Sequence, residues 1–320
     1  MSDTAVHDGL SARVSERWRA ADPLLPAPGF SAPDCGVQLV VTRPDGSTAA
    51  AGRCEHWAGE AGSLDLSWGA ARRFQFAAHA ADAAALDQLL SRWRAHLAQV
   101  PGTAEDDTAA TITWPSRDVD GIAVLLRHGF DPLEVIAART GPARPTAVPE
   151  ADPLGAGLVV RRAGPADIEA VVRLGLEIIR FDSRFGTVRE RPDSADGLRA
   201  EAAASLLAGP APWTWLAERD GEAVGLLAAQ RPESAGWIAP LVCRAPAAYL
   251  MLMFVAPGER GTGIGAALTW RFHQEVDAAG VAVTLLHYEQ LNPLSAPFWN
   301  RQGYRPLWTT WEAAPARLIS

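Results

Sequence analysis

The sequence predicts an α/β (α+β) protein of two tandem domains, each a mixed, mostly antiparallel sheet flanked by helices. Strand-length apolar segments alternate with segments whose apolar residues recur at helical spacing. A Pro- and Gly-rich stretch, residues 141–157, divides the 320-residue chain near its middle. Residues 111–138 align with residues 285–312 without a gap, so one strand–helix–glycine–strand pattern occurs twice. We interpret this repeat as two copies of one fold, the alternative being chance similarity over a single unit.

The predicted organisation has four parts. A helix and an apolar, Pro-rich segment fill residues 1–36, and the first domain follows over residues 37–140. A linker over residues 141–156 leads to the second domain, residues 157–320. The opening segment is expected either to pack across the domain junction or to be a mobile terminus.

The second domain is predicted to contain its elements in the order β-α-α-β-β-β-α-β-α-β. The strand GLVV opens it, and DIEAVVRLGLEIIRF follows with apolar residues at helical spacing. The helix GLRAEAAASLLAG precedes a hairpin of TWLAERD and EAVGLLAAQ, which turns at Asp220-Gly221. The remaining elements are the strand YLMLMFVAP, the helix AALTWRFHQEVDAA, the buried strand VAVTLLHYE, the short helix LSAPFWNRQ and the strand YRPLWTTWEA.

Composition narrows the possible functions. The formal net charge of −8, with no Arg-rich run to offset it, argues against nonspecific binding to nucleic acid. All 29 basic residues are Arg, which is typical of a bacterial protein from a GC-rich genome. The widely spaced Cys35, Cys54 and Cys243 indicate neither a zinc site nor a disulfide framework. We find no signal pattern and no run near the ~20 apolar residues of a membrane span. The expected location is the cytoplasm, without metal or membrane partner, and the oligomeric state is left open.

A glycine-rich turn is the strongest local signal. VAPGERGTGIGAAL, residues 255–268, joins an apolar strand to a helix. Such a turn leaves backbone N–H groups unpaired at a helix start, where the helix dipole adds positive charge. Glycines let the backbone approach a bulky anion, and Arg260 adds a fixed charge, so the turn suits a phosphate or pyrophosphate. There is no Gly-Lys-Ser/Thr for a P-loop, and the parallel units of a dinucleotide fold are missing.

This turn resembles the cofactor motif of the GNAT superfamily of N-acetyltransferases, Arg/Gln-x-x-Gly-x-Gly/Ala, through Arg260, Gly263 and Gly265. NPLSAPFWNRQGY, residues 292–304, is similar to the second motif of that family, with Ser295 in place of an Ala. The resemblance covers residues 157–315, while the first half resembles the fold only at its end. It implies acetyl-CoA as acyl donor. The cofactor-binding residues that it implies are Phe254, Val255, Arg260, Gly261, Thr262, Gly263, Ile264, Gly265, Ala266, Asn292, Phe298 and Trp299.

Transfer of an acetyl group to an amine needs a base for the amine, a polarised thioester carbonyl and an acid for the thiolate. Some family members carry the base five residues before the Asn, which here is His287, and Glu289 shares its strand face by alternation. The family's tyrosine acid is replaced by Trp299, which has no suitable proton. Tyr288 could replace it if a bulge turned it into the cleft. The N–H of Val255 is the expected oxyanion donor.

The acceptor site is expected between the first two helices and the last two strands of the second domain. Tryptophan is more often core than ligand cage, so at least one of Trp308 and Trp311 should be buried. The net negative charge favours a cationic amine. The candidate acceptor residues are Phe181, Asp182, Arg184, Phe185, Trp213, Trp237, Tyr249, Trp308 and Trp311.

The first domain lacks the cofactor motif. After RFQFAAHA the sequence continues as ADAAALDQLLSRWRAHL, without Arg-x-x-Gly-x-Gly, and Asp118 replaces the Asn. A carboxylate there is unfavourable beside a phosphate-bearing ligand. We therefore predict that this half does not bind acyl-CoA and that it extends the sheet or shapes the acceptor cleft.

The predicted function is transfer of an acetyl group from acetyl-CoA to the amine of a small molecule, by the C-terminal domain. The alternative is an acyl-CoA-binding sensor or scaffold without turnover, which Trp299 favours and His287 disfavours. A tandem enzyme of the mycothiol-synthase type shares the architecture, but no local motif supports it. The aromatic residues favour a closed pocket over the open groove of a protein acetyltransferase.

Overall fold

The computed structural model describes residues 3–29, 36–141, 157–186, 188–207 and 212–319. The predicted linker, residues 141–156, lies almost entirely outside the described residues. No helix in the described ranges is both long and apolar enough to span a bilayer. The helices are α1 (Asp3–Ala21), α2 (Ala83–Leu97), α3 (Val119–Arg127), α4 (Ile168–Asp182), α5 (Ser194–Leu207), α6 (Ile264–Ala278) and α7 (Ser295–Arg301).

The strands and their order confirm the predicted fold class. In the second half the elements follow each other as β-α-α-β-β-β-α-β-α-β. The strands are β1 (Val37–Thr42), β2 (Thr48–Ala58), β3 (Arg72–Ala80), β4 (Thr108–Pro115), β5 (Asp131–Thr140), β6 (Leu158–Arg162), β7 (Thr214–Arg219), β8 (Glu222–Gln230), β9 (Ala247–Val255), β10 (Val283–Glu289) and β11 (Arg305–Ala313).

All of these strands form one sheet, in the order β1-β2-β3-β4-β11-β5-β10-β9-β8-β7-β6. Neighbouring strands are antiparallel except for β3 with β4 and β9 with β10. Each parallel pair is joined through a helix, α2 or α6, as parallel strands require. The sheet is therefore mixed and mostly antiparallel, and it runs unbroken from the first half into the second.

The two halves exchange their last strands. Strand β5, from the first half, pairs with β10 of the second half. Strand β11, from the second half, lies between β4 and β5 of the first. The sequence repeat predicted two similar units but carried no sign of the exchange, because long-range strand pairing is not written in local periodicity. Neither half therefore has a complete sheet of its own.

The N-terminal helix covers this junction. Leu10, Val14 and Trp18 are at most 5% exposed and recur at the spacing of one helix face. They pack in one cluster with residues of both halves, including Ile136 on β5 and Leu307 on β11. Of the two predicted alternatives for the opening segment, packing across the junction is the one observed. Burial of each large apolar side chain contributes about 1.5–3 kcal/mol, so α1 helps to hold the exchanged strands together.

Candidate active site

The candidate site begins where two parallel strands separate. Strand β9 pairs with β10 only from Ala247 to Leu250, opposite Val283 to Leu286. Its pairing with β8 continues to Val255, with a bulge that leaves Met251 without a counterpart on β8. Beyond Leu250 the edge of β9 that faces β10 has no strand partner among the described residues. An extended ligand could add to this free edge as a strand.

A cavity of about 860 Å³ passes through this V-shaped opening and is lined from both faces of the sheet. On one face it is bounded by α6 and α7, and we call this part the cofactor compartment. On the other face it is bounded by α4, α5 and residues of the first half, and we call this part the acceptor compartment. The two compartments meet between β9 and β10, so one bound molecule in each could be brought into contact.

The glycine-rich turn forms the far wall of the cofactor compartment. Helix α6 begins after Gly263, which has φ 95° and provides no side-chain cap. Gly261 also has positive φ, 80°, a conformation that favours glycine. A Cβ at Gly265 would lie 3.3 Å from the Phe298 ring, so the helix start packs closely against α7. The first N–H groups of α6 are therefore open to an anion, which fits the pyrophosphate of coenzyme A.

Arg260 is held beside this turn. Its Nε donates to the carbonyl of Val255 at 3.0 Å, and its guanidinium lies 4.4 Å from the centre of the Phe181 ring. Burial lowers the pKa of Arg260, and the nearby Arg184 adds to this effect. The negative charge of a bound anion would stabilise the protonated guanidinium and so oppose both of these effects on its pKa. Arg260 thus carries positive charge that the described residues compensate only partly.

Most of the predicted cofactor residues line the cavity. They are Phe254, Val255, Arg260, Gly261, Gly263, Ile264, Gly265, Ala266, Asn292, Phe298 and Trp299. Thr262 is not among the lining residues, and its hydroxyl donates to the carbonyl of Glu259 at 2.7 Å. The side chain of Asn292 donates to Asp182 at 3.1 Å and accepts from the N–H of Leu294 at 3.0 Å. It therefore fixes the start of α7 against the end of α4.

Trp299 is mainly a packing residue. It is 5% exposed and contacts Phe298 and Tyr304 edge-to-face, at 4.9 and 5.3 Å between ring centres. Its ring contributes to the wall of the cofactor compartment but offers no O–H.

The three predicted catalytic residues on β10 line the cavity from opposite faces. Tyr288 packs in the cluster of α6 and α7, on the cofactor side. His287 and Glu289 face the acceptor compartment, in line with strand alternation. The pairing of β10 with β5 is regular throughout, so no bulge turns Tyr288. It reaches the cavity because the cavity passes between the separated strands to both faces.

His287 is tightly surrounded. Its Nδ1 lies 2.9 Å from the Tyr249 hydroxyl, and its Nε2 lies 3.9 Å from a carboxylate oxygen of Glu134. The exposed Trp237 stacks parallel to its ring, 6.1 Å between centres. Burial, together with the negative charge of Glu134, raises the pKa of Tyr249 far above its ordinary value. The phenol therefore keeps its proton and can exchange a hydrogen bond with His287.

Glu289 is a buried carboxyl group with an unused oxygen. It is 7% exposed, and its Oε2 has no hydrogen-bond partner among the described residues. Burial raises its pKa to about 9, and repulsion from Glu134 and Asp182 contributes. A Cβ at Gly186 would lie 2.4 Å from Oε2, so the loop after α4 lies directly against the carboxyl group.

The predicted acceptor residues divide into two groups. Phe181, Asp182, Trp237 and Tyr249 line the cavity. Phe185 packs on Phe181 beside them, 5.4 Å between ring centres, and the Arg184 guanidinium lies 5.6 Å from the same Phe181 ring. Burial raises the pKa of Asp182 to about 6.

Trp213 and Trp308 do not line the cavity, which corrects two of the predicted substrate residues. Trp213 is 2% exposed and packs edge-on against Phe272 of α6, in the core of the opposite face. The indole N–H of Trp308 donates to the carbonyl of Leu241 at 2.7 Å, and its ring packs on Trp18. The strand exchange explains Trp308, because it moves β11 away from β10. Trp311 is also buried, in the core of the first half.

Sequence reasoning offered the shaping of the acceptor cleft as one possible role of the first half, but it named none of the residues involved. The members of the first half that line the cavity are Asp65, Trp68, Arg73 and Glu134, and Glu201 of α5 was missed as well. Glu134 is there because the exchanged β5 places it directly opposite Glu289. No local signal could have found it, since its position depends on a pairing between halves.

The loop before α5 is fastened to the first half. The N–H of Arg189 donates to the carbonyl of Ser67 at 2.9 Å. Arg191 forms an ion pair with Asp107 at 2.8 Å, and the hydroxyls of Ser67 and Ser194 lie 2.7 Å apart. These contacts hold one wall of the acceptor compartment in place.

Comparisons with known proteins agree with this geometry. Residues 179–304 match the family model described as Acetyltransferase (GNAT) family. A GCN5-related N-acetyltransferase from Sphaerobacter thermophilus superposes with a TM-score of 0.59 at 16% identity, covering 96% of this chain and 92% of that chain. At this identity the likeness concerns the fold.

Two further structures are similar along most of their length. One is a GCN5-related N-acetyltransferase from Kribbella flavida, with TM-score 0.46, 17% identity and 94% coverage of both chains. The other is a tandem GNAT protein from the clavulanic acid biosynthesis pathway, with TM-score 0.44 and 14% identity, covering 97% of this chain and 96% of that one. No curated protein sequence matches significantly. Residues 179–304, which include the glycine-rich turn, thus match the GNAT acetyltransferase family, and the chain as a whole has the fold of a GCN5-related N-acetyltransferase.

Proposed function

We propose that the protein transfers the acetyl group of acetyl-CoA to the amine of a small molecule, using the site in its C-terminal half. Acetyl-CoA is the acyl donor of GNAT acetyltransferases. The observation that carries the proposal is the single cavity that joins the open start of α6 to the buried acidic residues and His287. A site for an anionic cofactor and a site for a cationic amine meet at the opening between β9 and β10.

The residues of the cofactor compartment have distinct roles in this proposal. The turn from Arg260 to Ala266 would hold the pyrophosphate through backbone N–H groups and the Arg260 charge. The pantetheine arm would lie along the free edge of β9 at Phe254 and Val255. Asn292, Phe298 and Trp299 would form the opposite wall.

The position of the reacting carbon shifts the expected oxyanion donor. Val255 lies four residues beyond Met251, or about 13 Å along an extended strand. His287 is the first residue after the paired part of β10, as Met251 is on β9. A thioester within reach of His287 is therefore nearer to the bulge at Met251 than to Val255. We assign the polarisation of the carbonyl to the backbone N–H groups at this bulge.

Proton transfer can then be completed by two bonded side chains. His287 Nε2 takes the proton of the attacking ammonium, and the C–N bond forms to give a tetrahedral intermediate. The nitrogen of this intermediate loses its second proton to solvent, and the intermediate collapses with cleavage of the C–S bond and re-formation of the carbonyl. Tyr249 gives its proton to the thiolate while His287 returns one from Nδ1 to the Tyr249 oxygen. The relay replaces the missing acid at Trp299, and Tyr288 on the cofactor side is the second candidate donor.

The experiment is release of free coenzyme A from acetyl-CoA in the presence of a panel of small amines. We expect Tyr249→Phe and His287→Gln each to lower kcat about 100-fold or more, the usual range for a general acid or base. Tyr288→Phe is the matched control and should change kcat less than about threefold. A large loss with Tyr288→Phe and none with Tyr249→Phe would instead make Tyr288 the acid.

The second candidate function is an acyl-CoA-binding sensor or scaffold. The buried Trp299 in place of an acid favours it. Calorimetric binding of acetyl-CoA without release of coenzyme A for any amine would support this function and refute the first one.

A further inference from the structure

The acceptor compartment contains more carboxyl groups than one reacting amine requires. We propose that the acceptor carries a second cationic group, as in a diamine or polyamine, and that Glu134, Asp182 and Glu289 bind it. This inference deepens the proposed function and rests on it. It names the chemical class of the acceptor and assigns a recognition site built jointly by the two halves of the chain.

The first observation is the unused oxygen of Glu289. A carboxyl group that is 93% buried normally has its oxygens bonded, because an unpaired buried polar atom is costly. Oε2 of Glu289 has no hydrogen-bond partner among the described residues and lies beside Gly186, and Glu289 is one of the residues that line the cavity. A donor supplied by a ligand would complete it.

The second observation is the arrangement of further carboxyl groups around it. Glu134 lies directly across from Glu289 in the β5–β10 register, where two ionised carboxylates would repel each other, and this repulsion helps to keep the proton on Glu289. Asp182, bonded to Asn292 at 3.1 Å, adds a third carboxyl group nearby. The three groups come from α4, β5 and β10, so they converge only in the folded chain.

The hydrogen bonds of the two arginines nearest these acids go to backbone carbonyls, although their charges also act on the cluster. Arg73 donates to the carbonyls of Ala70 and Asp65 and lies 4.1 Å from the centre of the Trp57 ring. Arg260 donates to the carbonyl of Val255. The further charged or titratable groups around the three carboxyls are Asp65, His287, Tyr249, Glu201, Glu312 and, beside Arg260, Arg184. Acids outnumber bases, and a cation from outside would balance the compartment.

The walls fit an organic ammonium better than a metal ion. The described residues contain no group of three or more His, Cys, Asp or Glu side chains arranged to bind a metal. Trp237 is 57% exposed at the compartment, and Phe181 and Tyr249 also line it. Aromatic rings of this kind pack on methylene groups and attract ammonium ions through their faces.

The decisive test compares acceptors that differ only in the second charge. 1,5-Diaminopentane and hexylamine have the same length, with an ammonium replaced by a methyl group, and 5-aminopentanoate places a negative charge near the same end. We expect kcat/KM for the diamine to exceed that for hexylamine at least 100-fold, with 5-aminopentanoate poorest. Equal values for the diamine and hexylamine would overturn the inference while leaving the proposed acetyltransferase function intact.

Variants identify the side chain that binds the second ammonium group of the acceptor. Glu134→Gln should lower kcat/KM for the diamine at least tenfold more than it lowers kcat/KM for hexylamine. Glu233→Gln, an exposed acid on a loop, is the matched control and should leave both unchanged. An equal loss for both acceptors with Glu134→Gln would show that Glu134 does not recognise the second cation.

A binding measurement separates this inference from catalysis. The carboxyl of Glu289 holds a proton at pH 7.5, since its pKa is about 9. A bound dication should ionise it, so calorimetry in buffers of different ionisation enthalpy should show about one proton released per diamine. Glu289→Gln should abolish the release. Diamine binding without proton release would contradict the role of Glu289. Failure of acetyl-CoA itself to bind would refute the proposed function.

Discussion

The two halves of the molecule contain the same β-α-β unit, but the helix of this unit is capped by a side chain in one half and not in the other. In the first half, α2 is capped by Asp82, whose carboxylate accepts from the N–H of Ala85 at 2.8 Å. In the second half, α6 starts after Gly263, without a side-chain cap. One helix start is thus closed by the chain's own anion, and the other is open to an anion from outside.

The residues that follow the second strand of each unit, Asp118 and Asn292, differ in the same way. Asp118, which aligns with Asn292, is 7% exposed and accepts from the Trp114 indole at 2.9 Å and the Gly121 N–H at 3.3 Å. It also forms an ion pair with Arg17 of α1 at 2.8 Å. The comparison teaches that a binding site in this fold consists of donors that the chain leaves unsatisfied. The prediction that the first half binds no acyl-CoA agrees with this interpretation.

The largest expected effect comes from a substitution that closes the open start of α6. Gly263→Asp would give α6 the cap that α2 has, and we expect coenzyme A to bind about 1,000-fold more weakly, or about 4 kcal/mol. Gly263→Asn is the control, because it carries the same side-chain volume and the same strain at positive φ without the charge. Calorimetry with coenzyme A measures both. Affinities of the Asp and Asn variants within threefold of each other would show that no anion binds there.

The reverse change should affect stability rather than binding. Asp118→Ala leaves Arg17 and the Trp114 N–H without their acceptor, and we expect a loss of about 3 kcal/mol in the free energy of unfolding. Denaturant titration measures the loss. Asp118→Asn should cost less, because its amide oxygen can still accept from Gly121. A strong fall in coenzyme A affinity of folded Asp118→Ala would contradict the assignment of Asp118 to structure alone.

A smaller effect concerns pH. The pKa of Glu289 is raised from its ordinary value near 4.5 to about 9, so folding favours the protonated form. The contribution of protonated Glu289 to the free energy of unfolding is complete below pH 4.5 and is lost as the pH rises through 9. Glu289→Gln should therefore gain stability relative to the native chain between pH 5 and 9, by at least about 1 kcal/mol. Thermal unfolding across this range tests it, and parallel profiles for the two proteins would contradict the raised pKa.

The smallest expected effect tests the contact between the halves. Asp107→Asn keeps the acceptor for the N–H of Ala71 but weakens the ion pairs with Arg189 and Arg191. Partly exposed pairs contribute about 0–1 kcal/mol each, so we expect the acceptor KM to rise about two- to threefold, with unchanged affinity for coenzyme A. Asp106→Asn, the exposed neighbour, is the control. A fall in the affinity for coenzyme A instead would contradict the assignment of this loop to the acceptor compartment.

The features that sequence predicted well are those that local spacing determines. The glycine-rich turn, the order of elements in the second half and the facing of His287 and Glu289 follow from neighbours along the chain. Helix starts and strand alternation depend on a few consecutive residues, so a single sequence is enough to find them.

The features that sequence missed depend on pairing between distant strands. Trp308 was expected at the acceptor site because β11 follows β10 in the chain, yet the exchange moves it beneath α1. Glu134 reaches the site only through that exchange. The bulge at Met251, to which we assign the oxyanion donor in place of Val255, appears only in the register of β9 with β8. Local periodicity contains no information on any of these pairings.

The exchanged strands also bear on how such a chain evolves. If the halves arose by gene duplication, the exchange made each copy the supplier of a strand to the other. Deletion of the first copy would remove β5, uncover the edge of β10 and take Glu134 with it. The first copy could therefore lose its glycine turn by mutation, but the gene could not lose the copy itself. Selection on the second copy's chemistry would be enough to maintain both.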